Sequence, residues 1–466
     1  MSIQSINPAT EEVIETFELF NKAQVDQALD EARHAFLSWR NTSFAERSTV
    51  LQRVAAYLRE HKARLAHIAT LEMGKPIVEA EAEVEKCAFN CEFYAENAEK
   101  FLADEHVKAN ATESYVAFQP LGVVLALMPW NFPYWQVIRF AAPALMAGNT
   151  AVLKHASNVS RTALEIEHVF QACGLPQGAF RTVLIPGAET RPLIEDPRIA
   201  AITLTGSEQA GVAVAAASGH VLKKNVLELG GSDAFIVLED ADLDGAAQMA
   251  VRARFQNTGQ SCIAAKRFIV VETVADTFVQ KFVEAASKLQ IGDPLDRKTQ
   301  IGPMARSDLR ESLEKQLQAS VQMGAKVVLG GKRLEGKGYF FAPTIVAEVT
   351  PEMSLFREET FGPVAAVIRT RDAEHAVELA NDSIFGLGGN LWTRDIERGR
   401  SLARRLESGG VFINGMTASD PRLPFGGVKR SGYGRELSSF GIREFVNIQT
   451  VWIGPTVTPT ASAPSE

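Results

Sequence analysis

The sequence contains little cysteine, with four residues in 466, so a disulfide scaffold is not expected. It also has no uninterrupted apolar run of about 18 residues, and its first residues resemble no secretory signal. Basic residues do not dominate, because the formal net charge is −8. A basic surface for nucleic acid is therefore not expected. These absences predict a cytoplasmic protein that binds neither a membrane nor nucleic acid.

Two common functional signatures are also missing. No HExxH or similar histidine pattern occurs, and Cys87 and Cys91, in one helix-like run, have no second pair of ligands elsewhere. We therefore expect no metal, and we interpret these two cysteines as thiols on a packed helix face. The dinucleotide fingerprint GxGxxG follows no predicted strand. Any nucleotide site would have to be built in another way.

The spacing of apolar residues divides the chain into regions. Residues 22–104 carry apolar side chains at three- and four-residue intervals, which is typical of helices. From Leu121 onward, short β-rich runs alternate with amphipathic segments, and a second such series begins near residue 234. This alternation predicts two α/β domains with mostly parallel sheets, joined near residues 228–233. Residues 443–453 predict a strand, and the Pro/Ser/Thr-rich residues 455–466 predict disorder.

Three polar residues are candidates for chemistry. Cys262 lies in a glycine-containing polar loop, FQNTGQSCIAAKR, whereas an inert structural thiol usually packs among apolar residues. Asn131 follows a predicted strand in MPWNFP, where its amide could stabilise an oxyanion or could instead cap the next helix. Glu228 ends a strand-like run between two leucines. Partial desolvation there would make it a general base, although turn N–H groups could instead satisfy it.

A possible phosphate site follows another predicted strand. The run IAAITLTG ends in Gly206, Ser207 follows it, and a helix is expected to begin near Glu208. A glycine turn at a helix N-terminus offers N–H groups to a phosphate. Many strand–helix turns share this pattern, so the signal is weak by itself.

Six motifs occur in a fixed order along the chain: MPWNFP, LTGS, LELGGSD, NTGQSC, EETFGPV and PFGGVKRSGYGRE. With them, the sequence resembles NAD(P)-dependent aldehyde dehydrogenases over nearly its whole length, and most resembles succinate-semialdehyde dehydrogenases of the shorter bacterial type. The resemblance implies an α/β, aldehyde dehydrogenase-like fold with two doubly wound domains and a β oligomerisation arm, in a homodimer or homotetramer. The implied divisions are a NAD(P)-binding domain of 1–107 and 123–227 with part of 417–435, a catalytic domain of 228–416, and an arm of 108–122 and 436–454.

The resemblance also implies a role for each candidate. Cys262 would attack an aldehyde to form a thiohemiacetal and then a thioester, and Asn131 with the Cys262 N–H would hold the oxyanion. The polar loop suits this role, because the Cys262 thiolate would have to be reachable and already formed. Glu228 would activate the water that hydrolyses the thioester. The residues implied to contact the cofactor are Trp130, Lys154, Ser157, Gly187, Gly206, Ser207, Leu229, Gly230, Glu359 and Phe361.

The substrate is expected to be a small aldehyde that carries a carboxylate. Arg139 lies in an otherwise apolar run, where it would bind that carboxylate or instead form an internal salt bridge. Ser261 and Ser419 could add hydrogen bonds. Some family members of this specificity have a second arginine six residues before the cysteine, but this chain has Gln256 there. Carboxylate binding could therefore be weaker, or Arg422 could contribute.

Ser157 bears on the choice of cofactor. NAD-preferring relatives commonly carry a glutamate three residues after the lysine that matches Lys154, and its charge would repel a 2′-phosphate. Serine there, with Lys154 and His155 as candidate cations, predicts that NADP is accepted and preferred and that NAD is usable. Ser157 could also cap the following helix.

Two other functions compete with hydrolytic aldehyde oxidation. A CoA-acylating or acyl-phosphate-forming enzyme would not need a base for water, so Glu228 argues against it. A catalytically silent member would be expected to lose the thiol, the amide or the base, and all three are present.

Overall fold

The computed structural model describes residues 2–455. The predicted disordered tail, apart from Pro455, lies outside the described residues. The first half of the chain contains β1 (Ser2–Ile6), β2 (Val13–Glu18), α1 (Lys22–Trp39), α2 (Phe44–Glu60), α3 (Lys62–Met73), α4 (Ile77–Phe101), β3 (Glu105–His106), β4 (Glu113–Pro120), β5 (Val123–Met128), α5 (Trp135–Met146), β6 (Thr150–His155), α6 (Ser160–Ala172), β7 (Phe180–Thr182), α7 (Thr190–Glu195), β8 (Ile199–Thr205), α8 (Glu208–His220) and β9 (Lys224–Glu228).

The second half continues the alternation. It contains β10 (Asp233–Val237), α9 (Leu243–Phe255), β11 (Ala265–Val271), α10 (Glu272–Ala286), α11 (Ser307–Gln322), β12 (Lys326–Leu329), β13 (Thr344–Ala347), α12 (Ser354–Arg357), β14 (Val364–Thr370), α13 (Ala373–Asn381), β15 (Phe385–Gly386), β16 (Gly388–Trp392), α14 (Ile396–Ala403), β17 (Gly410–Ile413), β18 (Val428–Lys429), β19 (Gly432–Tyr433), α15 (Ser438–Arg443) and β20 (Val446–Ile453). Short 3₁₀ turns cover Ser157–Val159, Gly187–Glu189 and Gln256–Gly259.

Six strands form the first sheet, in the order β19-β9-β8-β5-β6-β7. All are parallel except β19, which runs antiparallel to β9. Every residue of the central strand β5 is buried, as expected for a parallel sheet covered on both faces. The chain moves outward from β5 to β7 and then returns on the other side of β5 at β8. Ligands of α/β proteins bind at the carboxyl ends of the strands beside such a reversal.

The second sheet has seven strands, in the order β12-β13-β14-β11-β10-β16-β17, and only β12 is antiparallel to its neighbour. The chain leaves the first sheet at Glu228 and enters the second at Asp233. The predicted α/β architecture with two mostly parallel sheets is therefore confirmed.

A third, smaller sheet has the order β20-β4-β3. The predicted strand near the C-terminus starts at Val446, because α15 continues to Arg443, and it pairs antiparallel with β4 of the same chain. On α4, Cys87 and Cys91 are both fully buried, as interpreted from the sequence. Among residues 2–455 no helix is long and apolar enough to cross a membrane. The same residues contain no group of three or more metal-binding side chains.

Candidate active site

The carboxyl edge of the first sheet brings together residues from four separate parts of the sequence. Strands β6, β5, β8 and β9 are neighbours there, so the segments that follow them lie side by side. These segments carry eight of the predicted site residues: Ser157 after β6, Trp130 and Asn131 after β5, Gly206 and Ser207 after β8, and Glu228, Leu229 and Gly230 at and beyond the end of β9.

The region after β6 has features that suit a phosphate. Ser157 is exposed, and α6 has no side-chain cap, so the alternative role of Ser157 as a helix cap is not seen. Burial lowers the pKa of Lys154. Gly187 lies in the turn that follows β7. A side chain built on it would meet nothing within 4 Å, so this turn faces open space.

The suggestion that His155 adds a second cation is wrong. Nδ1 of the ring lies 3.1 Å from the Met128 carbonyl oxygen, and Nε2 lies 2.9 Å from the Pro133 carbonyl oxygen. The Ala156 N–H donates to Nδ1. Burial lowers the pKa of His155 to about 4. The ring is therefore neutral near pH 7, and Lys154 is the cation that this strand supplies.

The turn after β8 differs in one respect from the expectation. Helix α8 begins at Glu208 as predicted, and the Ser207 hydroxyl caps it by accepting the Ala210 N–H at 3.3 Å. The Gly206 N–H, however, donates to the Glu228 carbonyl oxygen at 3.0 Å. Gly206 therefore does not offer its N–H to a phosphate, and Ser207 acts as a helix cap.

Glu359 links the two sheets at this edge. Its carboxylate accepts the Gly231 N–H at 3.0 Å and lies 3.5 Å from the Lys266 ammonium. A Cβ on Gly230 would lie 2.6 Å from Glu359 Oε2, so Gly230 allows this close approach. Beside it, Leu229 is buried, and its N–H donates to the Ser431 carbonyl oxygen at 3.0 Å.

Aromatic rings cover the neighbouring part of the edge. Trp130 and Phe361 pack edge to face, with ring centroids 5.7 Å apart. This geometry is favourable for aromatic pairs. The pair brings two predicted cofactor residues together, although Trp130 follows β5 of the first sheet and Phe361 precedes β14 of the second.

The loop that carries Cys262 is held in an unusual conformation. Asn257 and Thr258 have φ values of 55° and 53°, which non-glycine residues rarely adopt. The buried Arg254 guanidinium donates to the Gly259 and Gly362 carbonyl oxygens, at 2.7 Å and 2.5 Å. These bonds fix a loop whose backbone is strained.

Lys266 fixes the end of the same loop. Its ammonium donates to the carbonyl oxygens of Ser261 and Cys262, both at 2.9 Å. Sequence reasoning did not select Lys266 or Arg254. Each is a charged residue beside an apolar strand or at the end of a helix. This pattern could have indicated both residues, because a buried charge requires hydrogen-bond partners.

The Cys262 thiol is partly exposed and lines a cavity, so it is reachable as predicted. Burial nevertheless raises its pKa to about 12, with Glu359 and Glu228 adding to the shift and Lys266 and Arg139 opposing it. The expectation that a thiolate is already formed is therefore wrong for this state. Cys262 must lose its proton to a base when it attacks.

Asn131 is oriented by the cysteine loop. Its amide nitrogen donates to the Gln260 carbonyl oxygen at 3.0 Å, and its amide oxygen accepts from Gln136 at 3.1 Å. Helix α5 begins at Trp135 with no side-chain cap, so the capping alternative is not seen. One amide hydrogen of Asn131 is left for an oxyanion, since a primary amide has two donors.

The Glu228 carboxylate is buried without a hydrogen bond. The residue is 2% exposed, and within residues 2–455 neither carboxylate oxygen has a partner. The alternative in which turn N–H groups satisfy it is therefore not seen. Burial raises the pKa of Glu228 to about 8, with Glu436 adding to the shift and Arg139 and Arg435 opposing it. A carboxyl group of this kind can act as a general base near neutral pH.

Arg139 forms an internal salt bridge and also lies on the wall of the cavity that contains Cys262. Its guanidinium forms a buried ion pair with Glu436, lies 3.3 Å from the Thr205 hydroxyl, and stacks 4.8 Å from the centre of the Phe425 ring. This is the internal salt bridge left open as the alternative. Two N–H groups of the Arg422 guanidinium donate to its neighbour Asp420, at 2.8 Å and 2.6 Å, and Arg422 is not among the residues that line the cavity.

Glu436 was missed in the sequence, although it ends the motif PFGGVKRSGYGRE. Its position in a conspicuous motif was a usable signal. What the sequence could not show was that the chain folds back to place it beside Arg139 and Glu228.

A cavity of about 690 Å³ opens at Cys262. Its wall includes Ser261, Ser419, Arg139 and Gln256, all named from the sequence. The aromatic residues of the wall are Phe132, Trp135, Phe255 and Phe425. The cavity is large enough for a small aldehyde.

Comparison with known proteins agrees with this site. The aldehyde dehydrogenase family profile matches residues 1–451. A probable succinate-semialdehyde dehydrogenase [NADP(+)] of Synechocystis is 52% identical over 453 residues, which cover 97% of this chain and 100% of that protein. A succinate-semialdehyde dehydrogenase [NADP(+)] of Mycobacterium avium is 51% identical over 470 residues, covering 100% of both chains.

A solved structure extends the similarity to the fold. Succinic semialdehyde dehydrogenase from Streptococcus pyogenes, in complex with NADP+, superposes with a TM-score of 0.95 at 37% identity. The match covers 97% of this chain and 100% of that one. The chain therefore belongs to the aldehyde dehydrogenase family.

Proposed function

We propose that this protein oxidises succinate semialdehyde to succinate, with NADP+ preferred and NAD+ usable. The names and cofactor of its full-length relatives support the substrate and the cofactor. The observation that carries the hydrolytic part is the buried, unpaired Glu228 carboxyl group. It lies near enough to Cys262 to raise the pKa of that thiol.

In this proposal Cys262 forms the first covalent bond. The thiol gives up its proton to a base, and its sulfur bonds to the aldehyde carbon to form a thiohemiacetal. The Asn131 amide, with the Cys262 N–H, stabilises the negative oxygen. Donors fixed before the reaction stabilise such a charge most strongly. NADP+, when bound at the carboxyl edge of the first sheet, would supply the acceptor for the hydride that leaves the thiohemiacetal carbon, and a thioester on Cys262 remains.

Glu228 acts in the second half of the reaction. Its carboxylate takes a proton from water as the water oxygen bonds to the thioester carbon. The carbon–sulfur bond then breaks, the carboxylic acid leaves, and the Cys262 sulfur takes the proton that Glu228 had accepted from water. Glu436 and Arg139 keep Glu228 in an environment where both protonation states are accessible near neutral pH.

The residues at the sheet edge fit a dinucleotide with a 2′-phosphate. Ser157 is exposed and carries no negative charge, Lys154 lies three residues before it in the chain, and Gly187 faces open space. We propose that Trp130, Ser207, Leu229, Gly230, Glu359 and Phe361 line the remainder of the path. Gly206 would line this path because it has no side chain, and it would not donate to the cofactor because its N–H is already bonded.

The test is formation of reduced nicotinamide, followed by its absorbance, with succinate semialdehyde and either cofactor, with and without CoA. Turnover without CoA and a higher kcat/KM for NADP+ are expected. Turnover that requires CoA would support the acylating alternative, and no turnover with any aldehyde would support a silent protein.

We further propose the domain division and assembly expected from the sequence: NAD(P)-binding residues 1–107, 123–227 and part of 417–435, catalytic residues 228–416, and an arm of 108–122 and 436–454 in a homodimer or homotetramer. The exposed Ile448 and Trp452 on β20 support a role of this arm in assembly. Light scattering of the purified protein tests the assembly.

Four unpaired cysteines fit a cytoplasmic location.

A further inference from the structure

Lys86, on α4, is a cation on the cavity wall that was not selected from the sequence. Its ammonium donates to the Ser419 hydroxyl at 2.7 Å and lies 4.2 Å from the centre of the Trp135 ring. Both of these neighbours line the cavity that contains Cys262. In residues 2–455, Ser419 is its only hydrogen-bond partner and no carboxylate lies within 4 Å. Because an ammonium has three donors, two remain for an anion.

The carboxylates nearest to Lys86 are already engaged. Glu83 pairs with Lys75, and Asp420 pairs with Arg422. Burial lowers the pKa of Lys86 to about 8, with Arg139 adding to the shift. An enclosed cation without a counter-ion is costly, and an incoming carboxylate would offset that cost.

The other cations of the cavity wall are less suitable. Arg139 already pairs with Glu436, and Arg297 binds Glu81 through two hydrogen bonds of 2.8 Å and 2.9 Å. Arg252 is exposed. Lys86 is thus the enclosed cation on the described wall that lacks an anionic partner.

We infer that Lys86, together with Ser419, binds the distal carboxylate of the substrate. This inference rests on the proposed function, which requires such a carboxylate. Lys86 would also supply a second cation on a cavity wall where some relatives have an arginine at the position of Gln256. The Trp135 ring fixes the direction of the ammonium.

The experiment compares kcat/KM for succinate semialdehyde and for butyraldehyde, which lacks the carboxylate, in wild type and Lys86→Met. Loss of a charge-assisted hydrogen bond should reduce kcat/KM for succinate semialdehyde by about tenfold to a hundredfold. The value for butyraldehyde should stay within about twofold, which also shows that the variant is folded. Lys100→Met, on the exposed face of the same helix, is the matched control and should behave as wild type.

A second measurement uses succinate as a ligand at equilibrium, with Lys86→Gln as a further variant in case Lys86→Met does not fold. Succinate should bind each Lys86 variant at least about tenfold more weakly than wild type. If wild type does not prefer succinate semialdehyde, the proposed function fails. If wild type prefers it and the Lys86 variants keep that preference, or if Arg252→Met removes it instead, only the present inference fails.

Discussion

Raising the pH should accelerate thioester hydrolysis through ionisation of Glu228. Its pKa of about 8 follows from burial without a hydrogen bond and from the nearby Glu436 carboxylate. About one tenth of the carboxyl groups would be ionised near pH 7, and about nine tenths near pH 9. A step limited by this base should therefore become roughly tenfold faster over that interval, which corresponds to ~1.4 kcal/mol.

Changing Glu436 to Gln should shift this profile. The substitution removes a negative charge beside Glu228 and frees the positive charge of Arg139, and both changes favour the ionised form of Glu228. The midpoint should move to lower pH. Arg139→Met should move it in the opposite direction.

The assay must separate hydrolysis from the earlier steps, because the raised pKa of Cys262 also makes acylation depend on pH. The initial burst of reduced cofactor in stopped flow reports acylation, and the steady rate that follows reports hydrolysis. In Glu228→Gln the burst should survive, while the steady rate should fall and lose its rise with pH. A steady rate that is independent of pH in wild type, or a rise that persists in Glu228→Gln, would refute the assignment.

Stability should change in a related way. The folded-state pKa of Glu228 lies above the value for an unfolded chain, so its stabilising contribution is complete below about pH 4 and is lost as the pH rises through about 8. The melting temperature of Glu228→Gln relative to wild type should therefore increase across this range. A difference that stays constant with pH would contradict the raised pKa.

Three further substitutions test the site. Cys262→Ala should abolish reduced-cofactor formation, whereas Cys173→Ala, a buried cysteine outside the cavity, should retain it; activity in the Cys262 variant would disprove the nucleophile. Asn131→Ala should lower kcat by about 10²–10³, the usual effect of losing an oxyanion donor, and a change below about tenfold would argue against that role. Ser157→Glu should move the ratio of kcat/KM for NADP+ over NAD+ toward NAD+ by at least about tenfold, or ~1.4 kcal/mol. An unchanged ratio would show that this position does not contact the phosphate.

Local patterns in the sequence were sufficient for the secondary structure around the site and for the placement of the candidates. The helices of residues 22–101, the strand that ends at Glu228 and the start of α8 at Glu208 all follow from apolar spacing and turn residues. Glu228 between two leucines also predicted burial and a raised pKa, because those neighbours are adjacent in the chain. The polar loop likewise indicated that Cys262 would be reachable.

Only the tertiary structure decided which charges are paired. An arginine in an apolar run requires a partner, but the sequence does not reveal whether that partner is a substrate or Glu436. In the same way, Lys86 becomes notable only when α4 packs beside Ser419, which is 333 residues away. Desolvation and ion pairing depend on atoms brought together from distant parts of the chain. The protonation of Cys262, the neutrality of His155 and the free donors of Lys86 therefore could not be read from local sequence.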